Sequence, residues 1–107
     1  MEDDSLAFLV VEDVVMLRDA LVRALSLHGH VEAVDSCAMA RQALGQRRFD
    51  SLIVDVGLPD GSGLDLVSPA RQKWPGIWVL VLTGHSDHAI VSRAHELGVR
   101  YLLKPFE

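Results

Sequence analysis

SLIVDVGLPDGSG, residues 51–63, joins an uninterrupted apolar run to a single carboxylate and then to a turn. Leu52, Ile53 and Val54 are the kind of run that a strand buried on both faces needs, and such strands build parallel sheets. Asp55 interrupts the run where the strand should end. Pro59, Gly61 and Gly63 cannot continue a strand and read as a turn. A charge at the tip of a buried strand costs free energy unless something pairs with it. In open parallel sheets that same edge is where ligands bind. The rest of the chain is therefore read for what it brings to Asp55.

Upstream, AFLVV (7–11) is an apolar strand that ends in Glu12-Asp13. Residues 14–27 follow as a helix with Leu17, Leu21, Ala24 and Leu25 on one face, and Gly29 stops it. HVEAVD (30–35) is a second strand. Ser36 is the N-cap of a helix running to 48, with Ala40, Ala43 and Leu44 inward. Gly45 weakens that helix by roughly 1 kcal/mol relative to alanine.

Downstream, a third helix is expected over 64–73. Pro69 sits in its middle and should kink or split it. Trp74-Pro75-Gly76 is a loop. IWVLVLT (77–83) is a fourth buried strand ending in the hydroxyl of Thr83. Ser86 caps a helix to 97, with Ile90, Ala94 and Leu97 on one face and Gly98 as its stop. VRYLL (99–103) is a fifth short strand, followed by Lys104. Strands and helices alternate with short connections, which gives a doubly wound five-stranded parallel α/β sheet with helices on both faces.

The chain has 107 residues, half of them hydrophobic, enough for one domain with a real core. It ends just after the fifth strand, so the expectation is a single domain over 1–107, truncated before a last covering helix. Cys37 is the single cysteine. It excludes an intramolecular disulfide and argues against a metal–thiolate site, and a reducing cytoplasm is the expected home. The net charge of −5 disfavours nucleic acid or an anionic membrane as a direct partner. The acidic start lacks the basic segment of a secretory signal, and no apolar run is long enough to span a bilayer.

Parallel strands put their C-terminal ends on one edge, so Glu12-Asp13, Asp55, Thr83 and Lys104 should converge there. Each alone has an ordinary reading: a solvated acidic loop, a turn-forming Asp, a structural Thr, a surface Lys. Loop chemistry does not require their convergence. Crowded carboxylates repel, and a hard divalent cation relieves them; Mg²⁺ fits best because it keeps waters and needs few direct carboxylates. A metal beside a free carboxylate, a hydroxyl and an ammonium suits phosphoryl transfer, with Asp55 as nucleophile and positive groups on the phosphoryl oxygens.

The segments FLVVED, LIVDVGLPDGSG, VLVLTG and YLLKPF, in this order and spacing, resemble the receiver domain of two-component response regulators. The resemblance implies the flavodoxin-like strand order 2-1-3-4-5, here without the fifth helix. It implies that Asp55 accepts a phosphoryl group from a sensor histidine kinase. Asp13 and Asp55 would ligate Mg²⁺ directly, Glu12 through water, and the Gly57 carbonyl would be a further ligand. Thr83 and Lys104 would contact the phosphoryl group. Tyr101 would be an aromatic switch that turns inward with Thr83 and reshapes the face around the fourth helix and fifth strand. Pro105 resembles the family's cis peptide. An output domain, transcriptional in many family members, and a phosphorylation-dependent homodimer also follow from the resemblance.

Four positions depart from the commonest pattern. Glu12 replaces an Asp. Gly57 leaves no side chain over the phosphoryl site, whereas His85 carries one; in the family these two positions tune the lifetime of the acyl phosphate. Pro69 has no functional reading. The other histidines (His28, His30, His88, His95) read as surface residues, and Trp74 and Trp78 as packing. Gly61-Ser62-Gly63 is only half of a dinucleotide fingerprint. Two alternatives stand beside the receiver. One is a small hydrolase with an aspartyl-phosphate intermediate, but its usual second Asp is Gly57 here. The other is a flavin-binding module, but Glu12-Asp13 would repel a flavin phosphate.

Overall fold

A computed structural model of the chain describes residues 6–84 and 88–104. Five parallel strands form the main sheet: β1 (Leu6–Val11), β2 (Gly29–Val34), β3 (Ser51–Asp55), β6 (Trp78–Thr83) and β7 (Arg100–Leu103). A short antiparallel hairpin, β4 (Gly57–Leu58) with β5 (Gly61–Ser62), follows β3. The helices are α1 (Val15–Leu25), α2 (Cys37–Gln46), α3 (Val67–Lys73) and α4 (His88–Leu97). Strand order is β2-β1-β3-β6-β7, which is 2-1-3-4-5 once the hairpin is set aside.

The period-two geometry of the strands divides their side chains between two unequal faces. Leu9, Val11, Leu52, Val54, Val79 and Val81 form the main core with residues of α2 and α3, and Ile90 and Leu97 of α4 pack against it. Phe8, Ile53 and Leu82 form a smaller cluster on the other face, packed by Leu21 and Leu25 of α1. No residue of α1 is fully buried, and every residue of β7 is exposed. No described helix is long and apolar enough to cross a membrane.

Several local expectations change. Ala24 is exposed, so the inward stripe of α1 is narrower than the periodicity suggested. Gly29 does not stop α1; it opens β2, where a Cβ would meet the Leu6 carbonyl oxygen at 2.2 Å. Glycine here permits close strand pairing rather than a left-handed cap. Gly98 does end α4, with φ of 67°. The third helix is split, but ahead of Pro69: a 3-10 turn (Gly63–Leu66) precedes α3. Pro69 then lies in the first turn of α3, where a backbone N–H has no helical partner to lose. The turn after Asp55 contains a strand pair, because Pro59-Asp60 reverses the chain as a two-residue hairpin loop. Trp74 packs on the core and donates its indole N–H to the Leu44 carbonyl at 3.0 Å, whereas Trp78 is 47% exposed and is not core. Ser86 and Pro105 lie outside the described residues.

Two contacts fix the segment after β3. The Gly63 N–H donates to the Val56 carbonyl at 2.9 Å, and a Cβ on Gly63 would meet the Asp55 carbonyl oxygen at 2.0 Å. At the other side, α2 is capped twice. Ser36 Oγ accepts from Met39 N–H as expected, and the Asp60 carboxylate accepts from Cys37 and Ala38 N–H. Those backbone donors hold the Asp60 carboxyl below its ordinary range. Burial, and then the Asp60 charge, push the Cys37 thiol up and keep it protonated.

Two glycine substitutions should act in opposite directions in urea denaturation. Gly63→Ala should lower stability by about 1–3 kcal/mol, because the methyl meets rigid backbone. Gly45→Ala, inside α2 with nothing within 4 Å of its Cβ position, should raise it by about 0.5–1 kcal/mol. The stability difference between wild type and Asp60→Asn should be full near neutrality and down to about pH 4. It should shrink as pH falls through the lowered folded pKa, which denaturation at stepped pH will read.

Candidate functional site

Register brings the site together. Val11 pairs with Val54, so Glu12, one step on, comes level with Asp55. Asp55 pairs with Leu82, and Thr83 pairs with Leu103, so Thr83 and Lys104 each project just past the sheet edge. Backbone bonds hold these ends in place: Glu12 N–H to Val34 O at 3.0 Å, Val56 N–H to Leu82 O at 2.8 Å, and Lys104 N–H to Thr83 O at 2.8 Å. β2 lies on one side of β1 and β3 on the other, so the strand order reverses between β1 and β3. The crevice at this switch point is the usual ligand site of such sheets.

Glu12, Asp55 and Thr83 are buried polar residues in an otherwise apolar edge, while Asp13 is exposed. Lys104 Nζ lies 2.9 Å from Glu12 Oε1 and 3.0 Å from Asp55 Oδ2. Burial works against the Lys104 charge, but the two carboxylates outweigh it and raise its pKa, so it stays an ammonium through neutral pH. Asp55 Oδ1 accepts a long bond from Gly57 N–H at 3.4 Å. Glu12 Oε2 accepts from Val14 N–H at 3.2 Å. Glu12 Oε1 is fully buried and, for all its closeness to Lys104, has no partner in hydrogen-bonding alignment.

One ligand oxygen each from Glu12, Asp13 and Asp55 can be chosen so that all lie within 4.8 Å of one another. Three carboxylates against one ammonium leave an excess of negative charge and an under-satisfied buried oxygen. An all-oxygen donor set of this kind suits Mg²⁺ or another hard divalent cation. On its other side, Asp55 opens into a cleft of about 230 Å³ lined also by Val56, Gly57, Thr83, Gly84, Ile90 and Lys104. Asp55 is the residue common to both, so a group held in the cleft would be in reach of the carboxylate, a hydroxyl-bearing residue and an ammonium.

The structure thus brings Glu12, Asp13, Asp55, Gly57, Thr83 and Lys104 to one edge, as the sequence led one to expect. Tyr101 lies on β7 with its side chain exposed. His85 lies outside the described residues, and His28, His30, His88 and His95 are exposed. The reading of the sequence missed Asp60, whose two long-range bonds tie the loop after Asp55 to α2. The segment around it, with Pro59, Gly61 and Gly63, signalled only a turn.

The model of the response regulator receiver domain family matches residues 8–107. The hydrogenase transcriptional regulatory protein HoxA of Cupriavidus necator is 32% identical over 99% of this chain, which spans 22% of that protein. The response regulator protein FleR of Pseudomonas aeruginosa is 38% identical over 92% of the chain and 21% of its own length. The chain therefore covers about a fifth of these relatives. Among solved structures, a response regulator protein from Burkholderia pseudomallei with a phosphorylated aspartic acid, calcium ion and citrate superposes with a TM-score of 0.86. It is 32% identical, over 95% of this chain and 61% of that one. Sequence, fold and the carboxylate edge agree: the chain belongs to the response regulator receiver domain family.

Proposed function

We propose that Asp55 is the phosphoryl acceptor of this receiver and that its phosphorylation switches the face formed by α4 and β7. The observation that carries this reading is the place of Asp55, shared between the carboxylate cluster and the cleft. The donor is a phosphohistidine of a sensor histidine kinase. A carboxylate oxygen of Asp55 attacks phosphorus; the new O–P bond forms as the P–N bond breaks, and the electron pair returns to the imidazole nitrogen. Glu12, Asp13 and Asp55, with the Gly57 carbonyl, would hold Mg²⁺, which when bound offsets negative charge on the phosphoryl oxygens.

Lys104 holds Asp55 through one charge contact and keeps its ammonium at the cleft, where the phosphoryl oxygens arrive. No reorganisation is then needed to meet that charge. The Thr83 hydroxyl donates to a phosphoryl oxygen. The exposed Tyr101 ring then turns inward, and the surface of α4 and β7 changes for an output domain or a second receiver. Gly57 and His85 set how easily water reaches the acyl phosphate. This chain spans 22% of one relative named as a transcriptional regulator and 45% of another, which supports a transcriptional output, and a reducing cytoplasm suits its single cysteine. The chain turns over no substrate of its own beyond gaining and losing this phosphoryl group.

Incubation with acetyl phosphate and Mg²⁺ should add one phosphoryl group by intact mass. Asp55→Asn and chelation by EDTA should each abolish the addition while circular dichroism stays unchanged. Addition that survives Asp55→Asn would overturn the assignment. Lys104→Met should slow the addition by roughly 100-fold, the loss typical of removing one preorganised electrostatic contact; an unchanged rate would remove Lys104 from the transfer step.

A further inference from the structure

We infer that Asp60 is a positioning residue for the metal side of this site: its carboxylate straps the 57–62 hairpin, and the Gly57 carbonyl with it, to the first turn of α2. This rests on the proposed roles of Asp55 and Gly57. Asp60 Oδ1 accepts from Cys37 N–H at 2.7 Å and Oδ2 from Ala38 N–H at 2.9 Å. Both oxygens are used, on donors fixed in a helix, so the carboxylate is held in direction as well as distance. The helix does not depend on Asp60 alone for its cap, because Ser36 Oγ accepts from Met39 N–H at 3.2 Å.

The hairpin on which the strap acts is otherwise fixed at its base, by Val56 and by the buried Leu58. Its exit is pinned at Gly63 through Val56, where a Cβ has no room. Its entry, Gly57, is exposed and has nothing within 4 Å of its Cβ position; it pairs with Ser62 across the hairpin, donates a long bond to Asp55 Oδ1 at 3.4 Å, and is followed by the buried Leu58. Gly57 has no side chain to aim its carbonyl; the hairpin aims it, and the Asp60 bonds to α2 hold the hairpin tip, while the buried Leu58 holds its base. Cys37 Sγ, 3.7 Å from the Ser62 carbonyl oxygen, makes a weak second contact on the same side. Outer groups that orient a metal ligand typically change affinity by about 10–100-fold when removed.

The test is Mg²⁺ affinity by isothermal titration calorimetry, with a thermal melt, on wild type, Asp60→Asn, Asp60→Ala and Ser36→Ala. Asp60→Ala should weaken Mg²⁺ binding roughly 10-fold, and Asp60→Asn, which keeps one acceptor oxygen, should fall between. Ser36→Ala removes the other cap of the same helix; it should lower the melting temperature and leave Mg²⁺ affinity in place. At saturating Mg²⁺, Asp60→Ala should regain the wild-type rate of phosphorylation by acetyl phosphate, since the strap holds a ligand and not the nucleophile. Unchanged Mg²⁺ affinity in Asp60→Ala, or an equal loss in Ser36→Ala, would overturn the strap alone. A wild-type chain that binds no Mg²⁺ would overturn it together with the proposed function.

Discussion

The contact on which the site depends is the ammonium of Lys104 between the carboxylates of Glu12 and Asp55. Those groups come from the ends of β7, β1 and β3, which lie far apart in the chain. Only the parallel register makes them neighbours. A slip of one residue in any of these strands would turn its terminal side chain to the other face. A buried ion cluster of this kind is weak evidence for stability, because the cost of desolvation offsets the Coulomb gain. The apolar strands supply stability, and the charged edge sits on them as a functional load. With three carboxylates against the ammonium of Lys104 and the Arg18 guanidinium on the Glu12 backbone carbonyl, that edge keeps an excess of negative charge.

The two faces of the sheet divide the labour. The face under α2, α3 and α4 carries nearly all of the buried apolar residues, so β3 and β6 hold Asp55 and Thr83 rigidly. The other face rests on Phe8, Ile53 and Leu82 with one half-buried helix, and β7 lies exposed along its length. Arg71 of α3 donates to the Leu97 and Gly98 carbonyls, and Arg93 of α4 pairs with Asp65 of the 3-10 turn, so α4 is tied to the rigid layer.

Much of this was legible in the sequence where a residue has a single physical use. Leu52-Ile53-Val54 is the kind of run that a strand covered on both sides needs, and a charge such as Asp55 at its end costs free energy unless something pairs with it. The alternation of segments then fixed the edge on which Glu12, Thr83 and Lys104 meet. Residues with several uses were less legible. Gly29 reads as a helix stop, yet it serves a close approach of β2 to Leu6. Ala24 fits the helical stripe but is exposed, because the thin cluster beneath α1 reaches only Leu21 and Leu25. Asp60 lies in a segment that reads only as a turn, through Pro59, Gly61 and Gly63. Its bonds to α2 span more than twenty residues and have no local signature.

The central claim is that one carboxylate of the edge, Asp55, carries the phosphoryl group. The most direct test is chemical trapping: phosphorylate the chain, reduce the acyl phosphate with tritiated borohydride, and locate the label by peptide mass spectrometry. The account predicts that residue 55 alone is converted to homoserine and carries the tritium. Label on Glu12, on Asp13 or spread over all three carboxylates would contradict it.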